Sequence, residues 1–182
     1  MSEAQIRNYA TERSFHPQTL QRWLGWAEAD RDALLSLAVN LKIGENHHRD
    51  LMDWLEEIAL RDSEPIQRIL ADKFIYDSNT DPRLGRADRL KRVKEQLRRR
   101  RYPRLARTED KIRSHISALK LHPAIRLSVL PGLEGGQLSV EFQAGSVAEF
   151  KAAATKLSDA IPLSSLAAIF NLLSGHAEKE QS

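Results

Sequence analysis

The sequence predicts an α+β chain that is mostly α. A helical N-terminal region with a helix–turn–helix candidate comes first, then a basic helix. A helix–strand–strand–helix domain of the dimerisation type follows, with an extra C-terminal helix. Three observations predict this. Apolar residues recur three and four apart along most of the chain. Two short runs near the C-terminus alternate apolar and polar residues instead. Between the two regions lies a dense basic segment. The expected divisions are 1–82, 83–107 and 108–182.

Pro17 suits the first turn of a helix, and Leu20, Trp23, Leu24 and Ala27 share one face of it. A second helix is expected from about Asp30 to Leu41, with Leu34, Leu37, Ala38 and Leu41 apolar. Ile43-Gly44-Glu45 reads as a turn. A third helix runs from about Asn46 to Leu60, burying Leu51, Trp54, Leu55 and Ile58. Ser63 is the expected cap of a short helix holding Ile66, Ile69 and Leu70. Residues 76–85, YDSNTDPRLG, read as a turn-rich boundary. Leu90, Val93 and Leu97 give the basic helix a narrow apolar stripe, and Tyr102-Pro103 ends it.

From Thr108 the pattern changes. Thr108 with Glu109 and Asp110 reads as the start of a helix burying Ile112, Ile116 and Leu119. Ile125, Leu127 and Val129 make one strand; Leu138, Val140 and Phe142 make the other, across a glycine-rich turn. Ser146 with Glu149 is a capping box opening a helix whose inner side is Phe150, Ala153, Ala154 and Leu157. Leu163, Leu166, Ala167, Phe170 and Leu173 stripe a last helix that Gly175 stops. A two-stranded hairpin cannot stand alone. These helices, a second copy of the chain, or both must cover it.

The charge is uneven. Arg83, Arg86, Arg89, Lys91, Arg92, Lys94, Arg98, Arg99, Arg100, Arg101, Arg104 and Arg107 face only Asp88 and Glu95, so residues 83–107 carry +10. The remaining sixteen basic and twenty-three acidic residues give −7. Charge runs usually mean a solvated helix, but salt-bridge-laced helices mix the two signs, and twelve to two is a strong imbalance. Arginine's planar fork suits phosphate and stacks on bases. The pattern points to a polyanion, with a solvated helix as the plainer alternative.

Other classes are excluded on composition. With no cysteine there is no disulfide, thiolate zinc site or cysteine nucleophile. No apolar run approaches the roughly 18 residues of a membrane span, and the first residues lack a signal-peptide core. No enzyme signature is present, and no cofactor or metal is expected. Gly132-Leu133-Glu134-Gly135-Gly136 lacks the lysine and helix of a phosphate loop. His47 and His48 are adjacent, so they point about 100° apart on a helix and seldom share a metal. His16, His115, His122 and His176 are scattered. Trp23 and Trp54 fall on buried faces, while Trp26 is open to either role.

The segment LLSLAVNLKIGENHHRDLMDWLEEIA has the form of a helix–turn–helix, with a plain helical hairpin as the alternative. Ala38 is the small crossing residue. Lys42 stands where glycine is usual, and His48 fills a slot that is usually apolar. Asn46, His47, Arg49 and Asp50 are expected on the exposed start of the second helix. Asn and Arg read adenine and guanine edges. Asp50, Asp53, Glu56 and Glu57 would oppose phosphates.

Two stretches resemble the ParB/Spo0J family of bacterial DNA-partition proteins. LAVNLKIGENHHRDLMDWL (37–55) is similar to that family's central helix–turn–helix. EDKIRSHISALKLHPAIRLSVLPGLEGGQLSVEFQAGSVAEFKAAATKL (109–157) is similar to its C-terminal dimerisation domain, where a helix, hairpin and helix exchange strands about a two-fold axis. Nothing resembles the family's nucleotide-binding domain, so CTP binding is not expected. The helix at 163–174 goes beyond the family pattern. The resemblance implies a DNA-binding homodimer.

The expected function is therefore non-catalytic binding of duplex DNA by a cytoplasmic, nucleoid-associated homodimer joined through 108–182. Arg86, Arg89, Lys91, Arg92, Lys94, Arg98, Arg99, Arg100, Arg101 and Arg104 are expected on phosphates, and Asn46, His47 and Arg49 near bases. Six phosphates would give a slope of log K on log salt of roughly −5. The alternatives are an RNA-binding protein and an adaptor docking an acidic protein partner.

Overall fold

The computed structural model describes residues 3–175. It is mostly helical, with one two-stranded antiparallel sheet. The chain divides into two compact units, 1–102 and 103–182.

The first unit is all helical: α1 (Glu3–Glu12), α2 (Pro17–Leu24), α3 (Glu28–Leu41), α4 (Glu45–Asp62), α5 (Ile66–Leu70), α6 (Lys73–Thr80) and α7 (Arg86–Arg101). Its core gathers Trp23, Leu34, Leu41, Leu51, Met52, Leu55, Ile58, Val93 and Leu97, all essentially without solvent contact. The basic helix α7 is part of this unit. Its narrow stripe of Val93 and Leu97, with half-buried Leu90, packs on α3 and α4 and against α6.

Three local expectations are corrected. Helix α1 lies where no element was expected, and its Ile6, Tyr9 and Ala10 are buried in the core. Ser63 does not open the short helix. It closes α4 in a left-handed conformation (φ 52°), and Pro65 precedes α5. Residues 76–80 are helical, because Asp72 caps α6 by accepting from the Phe74 N–H, so the turn-rich stretch shrinks to 81–85.

The second unit holds α8 (Pro103–Ala118), β1 (Ile125–Val129), a tight 3₁₀-like turn (Pro131–Gly136), β2 (Leu138–Phe142), α9 (Val147–Ala160) and α10 (Ser164–Leu173). The strands pair Ile125 with Phe142 and Val129 with Leu138. Gly132 and Gly135, both at φ 75°, turn the chain where other residues would be strained. The core comprises Ile112, Leu119, Leu121, Ile125, Ala153, Ala160 and Ile169.

Thr108 is not a helix start either. Pro103 opens α8 with φ already fixed, and the Thr108 hydroxyl donates back to the Arg104 carbonyl from inside the helix. Arg104 and Arg107 thus belong to α8. The capping box at 146 forms with a shift: Ser146 Oγ accepts from the Glu149 N–H, while Glu149 reaches back to the Gly145 N–H. Only Ala153 and Ala160 of α9 are buried. Phe150 is 56% exposed and leans on Phe142, ring centroids 5.5 Å apart. On α10 Ile169 is the buried residue, while Phe170, and Leu163 just before the helix, stay largely exposed.

Candidate nucleic-acid interface

The site begins with the turn between α3 and α4. Lys42 closes α3 in the left-handed region (φ 50°), the place where glycine is usual. That conformation is held from α1. The Tyr9 hydroxyl lies 2.8 Å from both the Ala38 and the Ile43 carbonyls, and the Arg13 guanidinium donates to the Lys42 carbonyl. A hydroxyl has one proton, so the two carbonyls share it. Burial pushes the Tyr9 phenol above its ordinary range. Sequence periodicity carried the signal for Tyr9, since Ile6, Tyr9 and Ala10 lie three and four apart.

The first turn of α4 is set by residues on either side of the chain. The Glu45 carboxylate accepts from the His16 N–H and the Thr19 hydroxyl, each at 2.9 Å. The bond from the His16 backbone holds that carboxyl below the usual range. His48 points inward and is fully buried, with ring centroids 4.2 Å from Trp23 and 4.8 Å from Phe15. Neither of its nitrogens has a partner, and burial lowers its pKa to about 4. The neutral imidazole thus takes the apolar slot. Asn46, His47 and Arg49 remain exposed.

Helix α7 lies along α4 and brings its cations to the same surface. Lys94 Nζ donates to Asp50 at 2.9 Å and stands 3.4 Å from His47 Nδ1. It also lies 5.1 Å from the centre of the half-buried Trp54 ring. Arg86, Lys91 and Arg92 point outward; Arg92 approaches Asp81 at 3.7 Å. Arg89 donates to the Asn79 carbonyl, and its Nε is buried without a partner.

The arginine run at the end of α7 is different. Arg98 pairs with Glu95. Arg100 pairs with Glu64 and reaches Asp62 at 3.5 Å. Arg101 grips Glu57 through two nitrogens. Arg61 donates to the carbonyls of Arg100 and Arg101, supplying partners for the end of α7. Arg99 is half-buried. Arg61, Arg100 and Arg101 thus form a seam between α4 and α7, while the Arg98–Glu95 pair lies within α7. Nothing in the sequence alone pointed to Arg61.

The acids of α4 are answered in the same way. Asp50 has Lys94, Asp53 and Glu56 share Arg22, and Glu57 has Arg101. Trp26 is fixed as well, its indole N–H donating to Glu56 at 2.8 Å. The carboxylates expected to oppose phosphates therefore each carry a cation. Arg104 is exposed on the second unit. Among the described residues no group of three or more His, Asp or Glu side chains is placed to hold a metal ion. No helix of these residues is long and apolar enough to cross a membrane. His176 lies outside the described residues.

No protein-family model, curated protein or solved structure matches the chain.

Proposed function

We propose that this is a non-catalytic DNA-binding protein in which the start of α4 meets base edges and the outward cations of α7 meet phosphates. One observation carries the reading. His47 and Lys94 stand 3.4 Å apart, so the exposed first turn of α4 and the basic face of α7 share one surface. Asn46 and Arg49 offer donors suited to base edges there. Lys91 lines the same groove as His47 and Lys94, and Arg86 and Arg92 add exposed charge on α7. The seam residues Arg100 and Arg101 then serve mainly to hold α7 on α4, and the phosphate contacts fall to the first half of α7.

We also place a homodimer contact in the second unit. Val140, Val147, Phe150, Ile161 and Phe170 are large apolar side chains left at 48–73% exposure. Joining two weak sites on one particle raises the effective concentration of the second. The resemblance to partition proteins makes a nucleoid-associated DNA-partition role the fitting task.

The test is a salt titration of binding to random duplex DNA beside a structured RNA of equal length. Steep salt dependence with DNA preferred is the expected result. A preference for the RNA would replace this reading with RNA binding. Binding that hardly changes between low and moderate salt, or no binding to either, would overturn it.

A further inference from the structure

A groove of about 600 Å³ runs between α4 and α7. Its floor is apolar, made by Trp54, Ala87 and Leu90. Its rim carries Lys91, Lys94 and Arg98 with Glu95 among them, and His47 at one end. Lys94 and Arg101 both lie over the Trp54 ring, at 5.1 and 5.9 Å from its centre. Long cationic side chains do this when their methylene stems cover apolar surface and their heads stay wet.

The geometry points to an acidic amphipathic helix of a partner protein as the occupant of this groove. One feature favours it over nucleic acid: the floor needs an apolar partner. A phosphate backbone would touch the rim and leave Trp54, Ala87 and Leu90 facing water. A helix with leucines at i, i+3, i+4 and i+7 lays them on the floor and sets flanking glutamates against the rim. Lys91 is exposed, and no ion pair involving it is found among the described residues, so it offers a head group to such a carboxylate. This inference does not rest on DNA binding. It adds a partner that would compete for Lys91 and Lys94 if DNA uses them.

The test uses the full chain and a dye-labelled synthetic peptide of glutamate and leucine in that spacing, followed by anisotropy. Oligoglutamate of equal charge and a scrambled Glu/Leu peptide are the controls. The patterned peptide is expected to bind at least about tenfold tighter than either control. Ala87→Trp, at an exposed position of α7, fills the groove without changing charge. It should abolish peptide binding and leave the salt slope for DNA unchanged. Lys91→Ala should weaken the peptide while leaving the floor intact. Equal binding of oligoglutamate, no binding of the patterned peptide, or wild-type binding by Ala87→Trp would overturn the proposal. Loss of DNA binding in Ala87→Trp would assign the groove to nucleic acid and overturn it too.

Discussion

Glu45 of α4 caps α2: its carboxylate takes the backbone N–H of His16 and the hydroxyl of Thr19, both at 2.9 Å. A helix start leaves N–H groups without partners, and this one is satisfied from another helix rather than by its own first residue alone. Glu45→Ala should lower the thermal midpoint, and Glu45→Gln should recover part of the loss, since an amide oxygen can accept both bonds. Because its pKa is lowered in the folded state, the stabilisation is present above the unfolded carboxyl range and lost as pH falls through the folded value. The gap between wild type and Glu45→Ala should therefore close in acid, which thermal melts across pH would show.

Tyr9→Phe removes the shared proton at the α3–α4 turn while keeping the ring and its packing against Phe15 and Trp23. Leaving buried carbonyls short of a donor costs about 1–3 kcal/mol. Urea unfolding should show a lower midpoint with an unchanged slope. If Asn46 and Arg49 read bases, sequence preference should also relax.

His48 makes the first unit acid-sensitive. Its pKa is about 4 folded against about 6.5 unfolded, so the unfolded chain binds more protons between those values. Stability should fall by about 3 kcal/mol as pH drops from 6.5 to 4. His48→Leu keeps an apolar side chain of similar size among Phe15 and Trp23 and has nothing to protonate. Its stability profile should be flatter in that window, and equal slopes for the two proteins would refute the assignment.

The two halves of α7 should respond differently to charge removal. Lys91→Ala with Arg92→Ala should reduce the salt slope of DNA binding by about 2 and leave the thermal midpoint nearly unchanged. Arg100→Ala with Arg101→Ala should do the reverse, lowering stability by on the order of 1 kcal/mol after solvent screening. Parallel melts and salt titrations of the two double variants separate these effects.

Most helices were legible because packing imposes a period: Leu34, Leu37, Ala38 and Leu41 on α3, or Val93 and Leu97 on α7, mark a buried stripe. The strands were legible through alternation, and the capping box through Ser146 and Glu149. Chain ends and caps were harder. Ser63 looks like a helix opener from its type, yet a left-handed backbone puts it at a helix end. Thr108 followed by two acids mimics a start, but Pro103 starts the helix earlier. The exposed start of α4 could be placed from spacing. The fate of Arg100 and Arg101 could not, because their partners Glu57, Asp62 and Glu64 lie 36 to 44 residues away, and local charge counting sees only neighbours in sequence.

The seam between α4 and α7 makes salt a structural variable as well as a competitor. At 1 M salt the screening length falls to about 3 Å, against about 10 Å at 0.1 M. The pairs Lys94–Asp50, Arg101–Glu57 and Arg100–Asp62 weaken over that range, and with them the grip that sets α7 beside the first turn of α4. If Lys91 and Arg92 hold phosphates as proposed, an ionic strength that strips these also loosens the frame that presents the two side chains. A loss of affinity in strong salt would then have two origins, counterion competition and a softened scaffold, and the second would persist for a ligand carrying no charge at all.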